Sequence, residues 1–272
     1  MIKNKLKFGN GNAKLSKAIM TFSLPAGYSC PQANECLSFA NRETGKIKDG
    51  QNTKFRCFSA STENIFPNVR ESRWNNYELL LNAKSVNGMT ELIHNSIPVG
   101  TLTIRCHVSG DFFNETYFLA WLNVALNNPQ MVIYGYTKCV NYLVKYKKQI
   151  PKNFRFTASF GGKLDSLIKK HKLISAKVVY SVNEAKDLGL EIDHDDSHSI
   201  NFKAPYALLL HGVQAKDTPA AKALSALKHL GLTGYSNKNK SKNEVAMNKV
   251  YVDLVSVKPQ PMKFTMKKKQ LV

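Results

Sequence analysis

The most constraining feature of this chain is a repeated exchange of periods. Short apolar runs of strand character alternate with longer segments of helical spacing from about residue 18 to about residue 231. A chain that returns to a strand after each helix is steered toward parallel pairing, because a parallel neighbour is reached by a crossover and not by a tight turn. Strands are predicted over 18–24 (AIMTFSL), 102–108 (LTIRCHV), 131–136 (MVIYGY), 153–159 (NFRFTAS), 176–181 (AKVVYS) and 206–212 (YALLLHG). Helices are predicted over 63–81, 115–126, 139–148, 163–171, 182–189 and 218–231. Pro67 would start or kink the first of these, Asn114 is placed to cap the second, and Gly231 would stop the last. The expected fold class is α/β, with a mainly parallel sheet forming a partial or distorted (β/α) barrel, a cysteine-rich loop after the first strand and a short C-terminal extension. The expected organisation is a basic tail over 1–13, one domain over 14–235, and a basic linker with one more strand and a tail over 236–272.

Length and charge narrow the function classes. The 272 residues can bury a full-sized core, and 43% apolar residues exclude a globally disordered chain. There is no apolar run long enough to span a bilayer, and the basic start lacks the apolar core of a signal peptide. A cytoplasmic location is expected, where thiols stay reduced and five cysteines read as ligands, packing residues or nucleophiles. The net charge of +20 raises the expectation of a nucleic acid partner, DNA or RNA, through phosphate neutralisation. Only six of the 39 basic residues are arginine, however, which is the residue suited to bidentate phosphate and guanine contacts. No membrane partner is expected.

In parallel α/β folds, ligands gather at the carboxyl ends of the strands. Reading those ends in order gives Pro25, Gly27, Cys30 and Cys36 after the first strand, then His107, Ser109, Gly110 and Asp111 after the second. Tyr136, Thr137 and Lys138 follow the third, Ser159 and its two glycines the fourth, and His211 the last. Asp111, Lys138 and His211 would share one rim and are the candidate catalytic residues. Ser109, Gly110, Asp111, Thr137 and Ser159 are the candidate cofactor contacts.

Cys30, Cys36 and Cys57 follow the spacing C-x5-C-x20-C. Three thiolates without a fourth ligand would leave one iron of a [4Fe–4S] cluster open. The same three with His94 or His107 would instead make a structural zinc site. Cys106 precedes His107 on a strand and should face the core, and Cys139 opens a helix as a packing residue. A second constellation is EIDHDDSH (191–198), where His194, Asp195, Asp196 and His198 could bind a divalent cation or form an exposed acidic loop. The turn SFGGK (159–163) could present backbone N–H groups to a phosphate or carboxylate.

The segments SLPAGYSCPQANECLSFA (23–40), HVSGDFFNETYFLAWLNVA (107–125), YGYTK (134–138), QIPKNFRFTASFGG (149–162) and EIDHDDSH occur in an order that resembles the phage gene-88 protein family, over about residues 14–235. More distantly, the order of the cysteine loop, SGDFF, YTK and IPKNFRFTAS is similar to phage and bacterial relatives of the radical S-adenosylmethionine (SAM) enzymes. That resemblance implies that Cys30, Cys36 and Cys57 hold the cluster and that Ser109–Asp111 lie where the amino group of SAM is bound. The gaps of five and twenty depart from the usual C-x3-C-x2-C. The leading expectation is a radical SAM-like iron–sulfur protein acting on a nucleotide or nucleic acid. The rivals are a DNA-binding or replication-associated phage protein with a structural metal, and a metal-dependent nuclease or phosphoesterase built on Asp111 and the HDDSH loop.

Overall fold

The computed structural model describes residues 5–11 and 15–232. The expected linker, strand and tail over 236–272 lie outside the described residues. Seven strands form one sheet in the order β1-β2-β5-β6-β7-β8-β9. These are β1 (Gly9–Asn10), β2 (Met20–Ser23), β5 (Thr103–Ser109), β6 (Val132–Thr137), β7 (Phe154–Ser159), β8 (Ser175–Val179) and β9 (Tyr206–Leu209). All neighbouring pairs are parallel except β1 with β2. Between β2 and β5 the chain makes a two-stranded hairpin, β3 (Ser38–Ala40) and β4 (Ile47–Asp49), which alternation alone does not reveal. No pairing joins β9 to β1 or β2 among the described residues, so the sheet is open and not a closed barrel.

Nine helices connect and cover the strands among the described residues: α1 (Phe58–Ile65), α2 (Pro67–Ala83), α3 (Val86–Ser96), α4 (Glu115–Asn127), α5 (Val140–Lys145), α6 (Asp165–His171), α7 (Val182–Asp187), α8 (Ser197–Asn201) and α9 (Pro219–His229). The helix expected over 63–81 is two helices. Pro67 occupies the first turn of α2, where its missing N–H costs nothing, and α1 ends at Ile65, with Phe66 between the two helices. Asn114 caps α4 as expected, its side chain accepting from Tyr117 N–H. None of these helices is long and apolar enough to cross a membrane.

Two faces of the sheet separate by the strand period of two. Met20, Phe22, Ile104, Cys106, Ile133, Phe154 and Phe156 meet the helices in the main core with Trp121 and Phe118 of α4. Ile19, Val132 and Tyr134 face the other way and pack with Leu15 and Ile200 of α8. The acidic 193–201 segment therefore covers part of the second face, and the rest of that face is left to a cavity. Alternation fails once, in β5: Thr21 pairs with Arg105 but Ser23 pairs with Ser109, so four positions oppose two. His107 takes a left-handed conformation in this bulge (φ 57°) and joins Cys106 on the helix side.

The PKN turn before β7 has a structural explanation. Asn153 is buried, and its amide donates to the carbonyls of Ala125, Asn128 and Met131 at 2.9, 3.0 and 2.9 Å, closing the end of α4 onto the start of β6. Replacement by Asp keeps the shape but removes both donors and faces a carboxylate with three carbonyls. Asn153→Asp is therefore expected to lower stability by about 3 kcal/mol or more, read as a lower urea midpoint at unchanged slope.

Candidate functional site

The carboxyl ends of β5, β6 and β7 are stitched side to side. Asp111 is buried just beyond β5. One carboxylate oxygen accepts from Thr137 Oγ1 (2.6 Å) and its own neighbour Phe112 N–H (2.7 Å), and the other accepts from Lys138 N–H (2.8 Å). Lys138 then reaches β7, donating from Nζ to Ser159 Oγ (2.6 Å) and to the carbonyl of Phe160 (2.9 Å). Burial pushes the Asp111 carboxyl upward, opposed by these donors. Gly110 makes the turn possible: its φ is 86°, and a Cβ would meet Ser29 Oγ at 2.5 Å and Leu24 Cβ at 2.7 Å. Three of the five candidate cofactor contacts, Asp111, Thr137 and Ser159, thus belong with Lys138 to one hydrogen-bonded rim, while Gly110 makes its turn and Ser109 donates to Glu63.

Beside that rim lies a cavity of about 210 Å³ whose lining includes Cys30, Cys36, Cys57, Asp111, Lys138 and His211. Cys30 and Cys36 come from the loop between β2 and β3, and Cys57 precedes the first turn of α1. The three thiols sense one another electrostatically. Burial pushes Cys30 well up, reinforced by Asp111, Cys57 and Cys36, and burial with Cys36 pushes Cys57 up to about 11. The loop is held by a backbone clamp: Asn34 and Glu35 N–H donate to the carbonyl of Gly161, and Lys163 N–H donates to that of Gln32. This gives the SFGGK turn a role other than the one expected. The N–H groups of Gly161 and Gly162 are occupied by Asp165 at 2.9 Å each, so they form no anion cradle.

The histidines expected to join the cysteines are used differently, although His107 lines the same cavity. His107 is buried, with Nε2 3.1 Å from Tyr117 Oη and its ring against Phe112 and Phe156. Burial and nearby Arg105 lower its pKa to about 3, so it is neutral. His94 sits on α3 beside Asn128 (3.5 Å). Neither complements the three cysteines, and no group of three or more His, Cys, Asp or Glu among the described residues could hold a single metal ion. The expected Cys3His zinc arrangement is thus not formed among the described residues. Cys106 and Cys139 are core residues, as expected, and Cys139 donates to the carbonyl of Phe112.

The HDDSH loop is also not a cation site. Asp196 pairs with Arg105 (2.9 Å) and accepts from Tyr136 (3.2 Å), His198 pairs with Asp193 (2.9 Å) and Glu191 (3.1 Å), and Asp195 accepts from Ser197 N–H. His194 is exposed, so the four side chains do not converge. Their spacing misled because consecutive residues here serve different partners. The alternation-based reading also missed two buried ion pairs. Arg105, 8% exposed at the cavity wall, ties β5 to this loop and lies over the Tyr136 ring at 4.6 Å. Glu63, 0% exposed, pairs with Arg73 (2.7 Å) and accepts from Ala26 N–H and Ser109 Oγ, joining α1 and α2 to the rim. A charged residue among apolar neighbours, as in TIRCHV, is the signal that could have marked Arg105. Nothing comparable marks Glu63. His211 packs on Phe58 at the cavity's edge (4.7 Å between rings), with Nδ1 3.2 Å from the Leu209 carbonyl.

A mostly parallel α/β sheet with a thiol-lined cavity at its carboxyl ends is the class of architecture this chain presents. The chain belongs to the gene product 88 family, whose family model matches residues 3–229. It is similar to the gene 88 protein of Mycobacterium phage L5, at 26% identity over 142 residues, 48% of this chain and 52% of that protein. The chain thus spans about half the length of this curated relative. No solved structure matches it.

Two expected outcomes follow from the site's electrostatics. His198 has its pKa raised to about 9, first by its hydrogen bond to Asp193. Folding therefore favours its protonated form: the contribution is complete below the ordinary value near 6.5 and lost as pH rises through about 9. Urea unfolding from pH 6 to 10 should show stability falling across that window, with a flatter profile in His198→Gln. In metal-free protein at pH 8, Cys30 and Cys57 should alkylate more slowly than a free thiol, since little thiolate is present, and peptide mapping of iodoacetamide adducts checks this.

Proposed function

We propose that this protein is an iron–sulfur protein related to the radical SAM enzymes, in which Cys30, Cys36 and Cys57 hold a [4Fe–4S] cluster with one iron open to SAM. The observation that carries the reading is the convergence of three cysteines, the outer two separated by 26 intervening positions, on one cavity at the carboxyl ends of parallel strands. Cluster-bound thiolates stand farther apart than the ligands of a single ion, so three thiols that line one cavity without forming a single-ion group fit a cluster better than zinc. The raised thiol pKa values fit the same reading. Deprotonation of Cys30 and Cys57 is opposed by burial and by neighbouring thiols, and at Cys30 also by Asp111, and a cationic iron core is what would make it favourable. The sequential order of parallel strands, open between β9 and the first strands, is consistent with a partial barrel.

The chain's own residues supply binding and orientation. Lys138 Nζ has three N–H donors and spends two on Ser159 and Phe160, leaving one for a carboxylate in the cavity. Asp111 accepts three hydrogen bonds, and its two oxygens retain lone-pair capacity for an ammonium group. Val178, Leu208 and Leu210 form an apolar wall that would exclude water from reactive species. His211, at the edge of the cavity, is positioned to contact a substrate and not the cluster. When bound, the cluster would supply the electron that cleaves SAM and starts radical chemistry.

The test is anaerobic purification with iron, sulfide and zinc analysis and a visible spectrum. Brown protein with about four irons and four sulfides is expected. Cys30→Ser, Cys36→Ser and Cys57→Ser should each lose the iron, while Cys106→Ala and Cys139→Ala should keep it if they fold. Colourless protein, with one zinc or with none, overturns the reading.

A further inference from the structure

A second concavity of about 670 Å³ adjoins the cysteine cavity, and the two share Phe58, Val108 and His211 as a common wall. It lies where the sheet is open, between β1 and β2 on one side and the residues just after β9 on the other, with α1 and α2 along its length. Its lining contains no Asp or Glu, although the chain has 19. Free charge enters through exposed Lys7, Arg73 being buried and paired with Glu63, and Thr21, Ser23, Asn68 and Ser72 add hydroxyl and amide groups. Phe66, 53% exposed, stands on the rim with exposed Ile65 and Val213, and the Phe58 and His211 rings mark the passage toward the cavity.

An acid-free groove that combines hydrogen-bonding groups with exposed aromatic rings, on a chain of net charge +20, matches what a single-stranded polynucleotide needs. Cations and hydroxyls follow its backbone, and aromatic faces stack its bases without regard to sequence. A folded protein partner would gain nothing from the exclusion of carboxylates, and a duplex would not present unstacked bases to Phe66. We propose that this groove binds single-stranded nucleic acid, with a base stacked on Phe66, and that it leads a neighbouring nucleotide past Phe58 and His211 to the cavity. This deepens the function proposed above by naming the substrate class. Only the delivery step rests on that function, because strand binding needs no cluster.

The experiment is fluorescence anisotropy of the full chain with labelled single strands of about 12 nucleotides, as DNA and as RNA of one sequence, and with the matching duplex. At least one single strand should bind more tightly than the duplex, with affinity falling steeply between about 50 and 200 mM salt. Phe66→Ala should weaken binding about 10-fold or more, and Phe66→Trp should restore it. Lys7→Glu should weaken it as well. The Phe66 ring is largely exposed, so its loss should leave the fold intact, which the urea midpoint checks. Anisotropy and iron content are read on the same preparations: strand binding by protein that holds no iron upholds the groove and counts against the cluster alone, and iron-loaded protein that binds no strand counts against the groove alone. Single-strand affinity unchanged by both Phe66→Ala and Lys7→Glu overturns the proposal. Equal affinity for the duplex overturns it, and so does the absence of strand binding.

Discussion

The site depends on one buried carboxylate. Asp111 gathers donors from its own turn, from Thr137 and from the backbone of Lys138, and so fixes the spacing of the ends of β5 and β6. Lys138 passes the constraint to β7 through Ser159. A buried carboxylate is tolerated only when its oxygens are satisfied, and here the same bonds that satisfy it align the mouth of the sheet. The loop of Cys30 and Cys36 is then secured by the turn that follows β7, so the position of the thiols is inherited from the strand ends.

Around this rim the buried charges are arranged in pairs, one on each side of the sheet's mouth. Arg105 with Asp196 anchors the acidic segment across the second face, and Glu63 with Arg73 anchors the first two helices to the turn after β2. Removing either partner of such a pair leaves an uncompensated charge, typically at about 3–5 kcal/mol, which exceeds what a surface pair contributes. These pairs therefore specify where two otherwise independent segments dock. They also explain why residues with metal-ligand chemistry in the 191–198 segment are spent on structure.

The fold was legible wherever local period and packing agreed. The six strands and six helical segments expected before residue 236 lie within a few residues of observed elements, from AIMTFSL at β2 to the Pro-initiated α9. Pro67 marked a helix start, but the length of α2 and the separateness of α1 required knowing that the chain turns there. The β3–β4 hairpin, α3 and α8 were not foreseen, being short or weakly periodic. The bulge in β5 was invisible as well, because nothing in TIRCHVSG announces that His107 leaves the alternation. That single slip moved a histidine from the expected ligand set into an aromatic core.

The sequence by itself determined the elements, the parallel sheet and the residues that stand at the strand ends, because hydrophobic period and turn chemistry are local properties. Only the tertiary structure decided which of those residues share a cavity. Cys57 joins Cys30 and Cys36 across a hairpin, Asp111 and Lys138 turn to neighbouring strands, and the histidines and aspartates of the 191–198 segment turn to separate partners. The reason is physical: a side chain's chemistry is fixed by its type, but its use is fixed by the partners that desolvation obliges it to find, and those partners lie far away along the chain.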